Sequence, residues 1–189
     1  MVHLIKNFTL MSNLEADHEL GQFREGPEPV DVLRLCINLA GDFQPQASEQ
    51  GEKKVIVGEM SFARTVRGRK VKIVKNLVAQ AISNLLENAV KYSESKSAIS
   101  IIAELPKDPP NSFAISVTST GVPIDPEESN KLFDRGFRGA VAKQKVPGGK
   151  GIGLYLAKRV MALHQGGIAV RTNGKEATFT LIFPPSRLV

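Results

Sequence analysis

The stretch that decides the fold is residues 84–93, which read NLLENAVKYS. It falls within a longer segment, about 76–93, that has the periodicity of an amphipathic helix. Apolar side chains recur at spacings of four, three and four residues along one face of this helix: Val78, Ile82, Leu85 and Ala89. Polar side chains form a stripe along another face: Gln80, Asn84, Asn88 and Lys91. Such a stripe is either a solvated surface or a binding face, and the helix alone leaves both interpretations open.

The C-terminal end of the stripe has a chemistry that suits a metal-bound phosphate and a flat base. Asn88, Lys91 and Tyr92 stand at positions i, i+3 and i+4, so they are neighbours on the helix surface. They offer an amide oxygen, an ammonium group and an aromatic ring. If the stripe is a binding face, these three residues are its most informative part.

A glycine cluster, GGKGIG at 148–153, opens a second predicted helix over about 152–165. Closely spaced glycines let backbone N–H groups approach an anion, and a helix N-terminus adds a favourable dipole. The same glycines serve equally well as a hinge. Two common phosphate motifs do not match, because a Walker loop needs Ser or Thr at Gly151 and a dinucleotide fingerprint needs Gly at Leu154.

The remaining segments indicate an α+β fold. A break at 26–29 (GPEP) starts a new unit, and apolar patterning predicts further helices and strands beyond it. Their approximate bounds are 31–48 for a first helix, 55–60 and 70–74 for short strands, 99–103 and 113–117 for adjacent strands, 118–150 for a long loop, and 168–172 with 177–183 for a hairpin. This order suits one antiparallel sheet covered by helices on one face.

Length and composition narrow the class of protein. The 189 residues suffice for one domain with a short extra segment. A single cysteine, Cys36, excludes an intramolecular disulfide and a cysteine-based zinc site, and three histidines are too few for a histidine-rich metal site. The net charge of +6 is compatible with an anionic partner without distinguishing nucleotide, nucleic acid and acidic protein. The sequence has no run of about 18 apolar residues and no signal-peptide layout, which predicts a soluble chain.

Four motifs occur in a fixed order along the chain. They are NLLENAVKYS at 84–93, a segment with Gly121 and Ile124, LFDRGFRG at 132–139 and GKGIGL at 149–154. In that order they resemble the N box, first glycine box, F box and second glycine box of the catalytic ATP-binding domain of sensor histidine kinases, the GHKL or Bergerat fold. The resemblance covers most of the chain.

The resemblance implies a two-layer α/β sandwich of the α+β class. Its mixed, mostly antiparallel sheet of about five strands would be covered on one face by helices. A long ATP lid over about 119–150 would be anchored by Phe133 and Phe137. We expect residues 1–26 to be the end of a dimerisation-hairpin helix with a linker, and residues 27–189 to be the histidine-kinase-like ATP-binding domain.

The resemblance also implies roles for individual residues. Asn88 would be the oxygen ligand of Mg²⁺, Lys91 would contact phosphate, and Tyr92 would pack on or near the adenine. Arg138 would reach the γ-phosphate from the lid, so Asn88, Lys91 and Arg138 form the expected catalytic group. The other residues expected around Mg-ATP are Asn84, Ser119, Gly121, Ile124, Phe133, Gly149, Lys150, Gly151, Gly153 and Leu154.

Three positions bear on how the site would work. Ser119 stands where the family has a carboxylate that accepts a hydrogen bond from the adenine amino group, and Pro123 replaces the second glycine of that box. A hydroxyl in place of a carboxylate reduces a contact of about 1.5 to 3 kcal/mol to one of about 0.5 to 1.5 kcal/mol. Asn84 stands where hydrolytic relatives have a general-base Glu, which favours the histidine-kinase branch over ATP hydrolysis.

The chain offers no convincing phosphoacceptor histidine. His18-Glu19 is only superficially similar to an acceptor motif, because it follows a segment that resembles the end of the second hairpin helix. His164 lies near the end of the last predicted helix, where we expect a packing or capping role. We therefore expect no autophosphorylation by this chain alone.

These observations predict an ATP-binding catalytic domain of a sensor histidine kinase, with ATP and Mg²⁺ as its cofactors. It would donate the γ-phosphoryl group to a histidine on a separate dimerisation domain in two-component signalling, with a response regulator as a further partner. We expect a cytoplasmic chain without nucleic-acid or membrane contacts of its own, and a membrane-bound parent is compatible with the sequence. The alternative is a degenerate GHKL module with weak or no ATP binding that acts as a protein-docking domain.

Overall fold

The computed structural model describes residues 26–57, 68–106 and 110–189. The segment predicted to end a dimerisation hairpin, with its His18-Glu19 pair, lies outside these ranges. The last three residues of the strand predicted at 55–60 also lie outside them.

The described residues form seven strands, four α-helices and two short 3-10 helices. The strands are β1 (Glu28–Asp31), β2 (Lys54–Val57), β3 (Lys70–Ile73), β4 (Ala98–Glu104), β5 (Phe113–Thr120), β6 (Gly167–Asn173) and β7 (Glu176–Phe183). The α-helices are α1 (Val32–Glu49), α2 (Lys75–Tyr92), α3 (Ala140–Lys145) and α4 (Gly153–Leu163). The 3-10 helices span Pro126–Lys131 and Pro185–Arg187.

The main sheet has five strands in the order β2-β4-β5-β7-β6. β2 runs parallel to β4, and the other neighbouring strands are antiparallel. The core lies between this sheet and helices α1, α2 and α4. The predicted α+β sandwich with a mixed, mostly antiparallel five-stranded sheet is therefore confirmed.

α2 lies at the centre of this core. The four apolar residues that define its helical period are at most 5% exposed: Val78, Ile82, Leu85 and Ala89. The helix packs along α4 and also contacts α1 and the sheet. Burying one such leucine or isoleucine side chain contributes about 1.5 to 3 kcal/mol, so core packing holds α2 and the polar residues it carries in place.

A small second sheet was not predicted from the sequence. β1 pairs antiparallel with β3, with Glu28 opposite Ile73, so the strand predicted at 70–74 belongs to this ribbon. β1 has four residues and contains Pro29, which cannot donate to a ladder. So short a strand shows too little alternation to be recognised from sequence.

The long loop predicted at 118–150 is partly structured. β5 continues through Thr120, so the lid begins later than residue 119, and we define it here as residues 122–152. It contains the first 3-10 helix and α3, a helix of six residues. Six residues are fewer than two helical turns, which leaves no periodicity for sequence analysis to detect.

His164 joins the end of α4 to the start of α2. Its Nε2 accepts a hydrogen bond from the backbone N–H of Val74 at 3.0 Å, and its Nδ1 donates to the carbonyl of Val160 at 2.7 Å. The residue is 1% exposed and its ring meets Phe183 edge-on. Burial lowers the pKa of His164 below its usual 6.5. The hydrogen bond to the Val160 carbonyl raises this pKa, and the positive charge of Arg187 lowers it. This is the packing role expected of His164.

Cys36 is buried in the core, and burial raises the pKa of its thiol to about 12. This cysteine is therefore not a reactive thiolate at neutral pH.

None of the helices in the described ranges is both long enough and apolar enough to cross a membrane.

Candidate functional site

A cavity of about 490 Å³ opens between the C-terminal half of α2, the end of β5 and the lid. Its volume falls within the range of small-molecule sites, about 300 to 1,000 Å³. Twelve of the residues expected around a nucleotide line it: Asn88, Lys91, Tyr92, Ser119, Gly121, Ile124, Arg138, Gly149, Lys150, Gly151, Gly153 and Leu154. The four sequence motifs therefore meet at one place.

The last two turns of α2 form a polar wall of this cavity. Asn88, Lys91 and Tyr92 all line it. Lys91 Nζ lies 2.7 Å from Glu87 Oε1 one turn earlier, and both side chains are partly buried. Glu87 was not among the predicted site residues, although the i,i+4 spacing of a Glu and a Lys is a recognisable signal for this pair. The ion pair holds the lysine ammonium group at the cavity wall.

Gly121 joins the end of β5 to the end of α2. A Cβ atom at this position would lie 2.1 Å from the carbonyl oxygen of Tyr92 and 2.5 Å from Cα of Ser93. Ser93 and Gly121 form a β-bridge, and the N–H of Val122 donates to the Tyr92 carbonyl at 3.1 Å. Only glycine permits such a close backbone approach. It brings the residues of β5 next to the polar wall.

The glycine loop at 148–153 also lines the cavity and leads into α4, which packs along α2. Gly151 has a φ of +68°, and a Cβ atom there would lie 2.6 Å from the backbone of Gly136 and Phe137. α4 then begins at Gly153 without a side-chain cap, and its first intrahelical hydrogen bond is donated by Leu156. The earlier N–H groups of the first turn have no partner within the helix. A helix start of this kind is favourable for an anion.

Arg138 organises the lid from within. Its two terminal nitrogens donate to five acceptors: the carbonyls of Ala142, Val146, Pro147 and Gly149 and the hydroxyl of Tyr92. The Tyr92 contact, at 3.4 Å, connects the guanidinium group to the polar wall. Arg138 is expected to contact the γ-phosphate, and to do so its guanidinium group would have to give up some of these carbonyl contacts.

Two lysines bind carbonyl groups at the C-terminus of α2. Lys145 of the lid donates to the carbonyls of Tyr92 at 2.8 Å and Ser93 at 3.0 Å, and the buried Lys53 donates to the carbonyl of Val90. Cations are favoured there by the helix dipole. Burial lowers the pKa of Lys53, and the positive charge of Lys145 lowers it further.

Two residues expected around the nucleotide lie outside the cavity lining. Asn84 is 1% exposed and packs beneath the wall, with side-chain atoms 3.6 Å from a Cβ built at Gly153. Neither its amide oxygen nor its amide nitrogen has a hydrogen-bond partner among the described residues. Phe133 is buried, and its ring meets Phe179 edge-on at 6.4 Å, which is the anchoring contact expected for it.

The sheet side of the cavity is mostly apolar. Ala177 and Phe179 of β7 line it, together with Ile124 at the start of the lid. Ser119 of β5 lies opposite Ala177 and is half-buried. Its hydroxyl makes no hydrogen bond within the described part of the chain. The cavity thus combines a cationic, amide-rich side with an apolar side that contains one free hydroxyl.

The donor set suits a nucleotide-bound magnesium ion rather than one held by the protein alone. Within residues 26–57, 68–106 and 110–189, no group of three or more His, Cys, Asp or Glu residues could hold a metal. The cavity does present the amide oxygen of Asn88, and Mg²⁺ commonly takes one or two protein oxygens along with waters and phosphate oxygens. The two carboxylates in the lining are engaged elsewhere, Glu87 by Lys91 and Glu128 by a backbone N–H.

Five polar residues line the cavity without being predicted from the sequence: Gln46, Gln50, Glu87, Glu128 and Lys175. They come from α1 and the residue that follows it, α2, the lid and the β6–β7 turn. Apart from the spacing of Glu87 and Lys91, no local pattern marks them. Lys175 forms an exposed ion pair with Glu94 at 2.8 Å beside the cavity.

The chain is similar in sequence to sensor kinases. A family model described as histidine kinase-, DNA gyrase B- and HSP90-like ATPase matches residues 73–187. Sensor-like histidine kinase SenX3 of Mycobacterium tuberculosis is 38% identical over 111 residues, which cover 58% of this chain and 26% of SenX3. Sensor protein VanS of Enterococcus faecium is 30% identical over 155 residues, 82% of this chain and 38% of VanS. Phosphate regulon sensor protein PhoR of Pseudomonas aeruginosa is 28% identical over all 189 residues and 40% of PhoR.

Solved structures agree on the fold. Full-length ShkA in complex with AMPPNP matches with a TM-score of 0.75 at 22% identity, covering 96% of this chain and 36% of ShkA. The catalytic domain of histidine kinase ThkA matches with a TM-score of 0.66 at 18% identity, covering 85% of this chain and 99% of that domain. This chain spans 26% to 40% of the length of the three sequence relatives. It belongs to the family of histidine kinase-, DNA gyrase B- and HSP90-like ATPases, within which its catalytic domain is of the sensor histidine kinase type.

Proposed function

We propose that this domain binds Mg-ATP in the cavity between α2 and the lid and donates the γ-phosphoryl group to a histidine on a separate dimerisation domain. The observation that carries the proposal is the convergence of Asn88, Lys91 and the glycine loop at one cavity with an apolar sheet side. ATP has the matching two-part chemistry, a polyanionic triphosphate and a flat base.

The polar side of the cavity would hold the triphosphate. Lys91 and Lys150 supply positive charge there, and the start of α4 supplies unpaired N–H groups. Phosphoryl transfer depends on positioning and charge neutralisation more than on covalent help, so these groups match its requirements. On the other side, Tyr92 and Ile124 would pack near the base, with Ser119 as its polar neighbour.

Asn88 would hold Mg²⁺ through its amide oxygen, together with oxygens of the nucleotide and water. When bound, the ion supplies charge neutralisation on the phosphate oxygens. The residues around it favour transfer over hydrolysis, because Asn84 is an amide without basic character. The lining carboxylates, Glu87 and Glu128, are both engaged, so neither is free to activate water.

The acceptor histidine would come from outside the described residues. His164, the histidine within those ranges, is buried and has both ring nitrogens hydrogen-bonded. In the transfer, an acceptor imidazole nitrogen would bond to the γ-phosphorus while the bond to the β–γ bridging oxygen breaks, ADP leaves and the imidazole proton passes to solvent. The partners that this function requires are a dimerisation domain and a response regulator. A cytoplasmic location follows from the proposal, because its phosphoryl donor is ATP.

The direct test is phosphoryl transfer in trans. The 189-residue chain is mixed with γ-labelled ATP, Mg²⁺ and the dimerisation domains of the three relatives described above. We expect acid-labile label on at least one of these domains and none on the chain itself. Lys91→Ala should reduce labelling at least about tenfold, the effect of losing one charge-assisted phosphate contact. The control Lys158→Ala, an exposed lysine of α4 outside the cavity, should not.

The outcome that overturns the proposal is ATP binding without label on any acceptor domain, or equal labelling by the Lys91→Ala variant. A second candidate, a degenerate module that docks to a partner without transferring phosphate, is favoured by Ser119 in place of a carboxylate. It predicts an ATP dissociation constant above about 1 mM that Ser119→Asp restores to tighter binding. Sub-millimolar binding by the unmodified chain would dismiss it.

A further inference from the structure

Ser119 is the one side chain that β5 contributes to the cavity. It lies between Ala177 of β7 and Ile99 of β4, its two cross-strand neighbours. The residue is half-buried, and its hydroxyl is without a hydrogen bond in the described ranges. A base stacked on the apolar sheet side would therefore meet a hydroxyl that is available to bind it.

A serine hydroxyl can donate one hydrogen bond and accept others, and it rotates to suit its partner. Adenine and guanine differ in this respect at C6, where adenine carries an amino donor and guanine a carbonyl acceptor. An ionised carboxylate accepts only, so it would bind the amino group and repel the carbonyl. A hydroxyl at the same point satisfies either base.

Several other acceptors of the cavity lining already have donors within the described residues. The carbonyl of Tyr92 already accepts from the N–H of Val122 and from Lys145 Nζ. The carbonyl of Lys175 accepts from the N–H of Gly121 at 2.8 Å. The two carboxylates of the lining are committed to a lysine and to a backbone N–H. Among the side chains that β5 brings to the cavity, the Ser119 hydroxyl is the one left to contact C6 of the base.

We propose that Ser119 makes this domain a purine-nucleotide site that does not distinguish a 6-amino from a 6-oxo group, so that it takes GTP as well as ATP. The inference rests on the proposed function, because it assumes that the base lies on the sheet side of the cavity. It identifies Ser119 as the residue that sets base selectivity.

The test is titration calorimetry of the 189-residue chain with Mg-ATP and with Mg-GTP. We expect dissociation constants for the two nucleotides within about tenfold of each other. Ser119→Asp should bind ATP more tightly and GTP more weakly, so that the ratio of the two constants shifts by at least about tenfold. Thr118→Asp is the matched control, since Thr118 adjoins Ser119 but pairs its hydroxyl with Thr178 outside the cavity. It should leave the ratio unchanged.

The possible failures are distinguishable. If the unmodified chain binds ATP but binds GTP more than about tenfold more weakly, this inference is overturned and the proposed function stands. If Ser119→Asp leaves the ratio unchanged, or Thr118→Asp shifts it equally, selectivity does not depend on Ser119 and the inference is again overturned. If neither nucleotide binds, the proposed function fails and the inference fails with it. Melting curves of each variant verify that it is folded.

Discussion

The polar wall of the cavity and its lid are held in place in different ways. In α2, nine of eighteen residues are buried, and core packing sets the positions of Asn88 and Lys91. In the lid, Phe133 is the one large apolar side chain that is buried, and the path of the chain depends on the cation-to-carbonyl contacts of Arg138 and Lys145. Core packing therefore fixes the conformation of the polar wall, whereas the conformation of the lid depends on a few hydrogen bonds near the surface.

The largest effect should come from a cavity made in the core beneath the wall. Leu85→Ala removes a side chain that is 1% exposed and should lower the free energy of unfolding by about 2 to 5 kcal/mol. The matched lid variant Val141→Ala affects a residue that is 46% exposed and should change it by less than about 0.5 kcal/mol. Urea denaturation measures both. Comparable losses in the two variants would contradict the division between wall and lid.

A smaller loss should follow from separating β5 from α2. Gly121→Ala forces a Cβ atom against the Tyr92 carbonyl, so we expect the free energy of unfolding to fall by about 1 to 3 kcal/mol. Gly167→Ala is the control, because no atom lies within 4 Å of the Cβ it would introduce. Thermal denaturation of the two variants tests this contact. A stable Gly121→Ala protein would show that the strand end and the helix end are not held together as described.

The lid should respond to loss of Arg138 by opening locally. Arg138→Ala removes the donor for five acceptors, so amide hydrogen exchange across α3 and residues 146–149 should accelerate by about tenfold, equivalent to about 1.4 kcal/mol of local stability. Exchange in α2 should not change. Lys143→Ala, an exposed lid residue, is the control. Faster exchange in α2 as well would mean that wall and lid are one cooperative unit.

The smallest effect should be a pH dependence that arises from His164, which joins α4 to the start of α2. Burial lowers the pKa of His164 below 6.5, so the folded state binds a proton less readily than the unfolded state. The stabilisation is fully present above about pH 6.5 and is lost as the pH falls through that value towards the folded pKa. His164→Gln should flatten the dependence of unfolding free energy on pH in this window. The same slope in wild-type and variant proteins would assign it to other groups.

The difference between the polar wall and the lid also explains which features could be predicted from the sequence. α2 was predicted at about 76–93 and spans Lys75–Tyr92, because a helical period repeats within a few residues. The contacts that shape the lid and cap α2 join residues far apart, such as Lys145 with Tyr92 and Lys53 with Val90, 53 and 37 positions away. No local pattern reports such pairs.

Asn84 and Ser119 show where local patterns mislead. Periodicity assigned Asn84 to the polar stripe, but α4 approaches so closely at Gly153 that the side chain is buried. Periodicity gives the face of a helix and not how far a neighbouring helix covers it. Ser119 was predicted at the start of a loop, whereas pairing with β4 and β7 extends β5 through it. A strand end depends on its neighbours as well as on its own residues.

If the polar wall of α2 holds Mg-ATP through Asn88, this role can be measured by calorimetric titration of ATP with and without Mg²⁺. We expect magnesium-dependent binding by the 189-residue chain, weakened at least about tenfold in Asn88→Ala. We expect unchanged binding in Asn38→Ala, the same substitution at an exposed position of α1. Equal magnesium-dependent affinity in Asn88→Ala and the unmodified chain, or no binding at millimolar ATP, would contradict this role of Asn88.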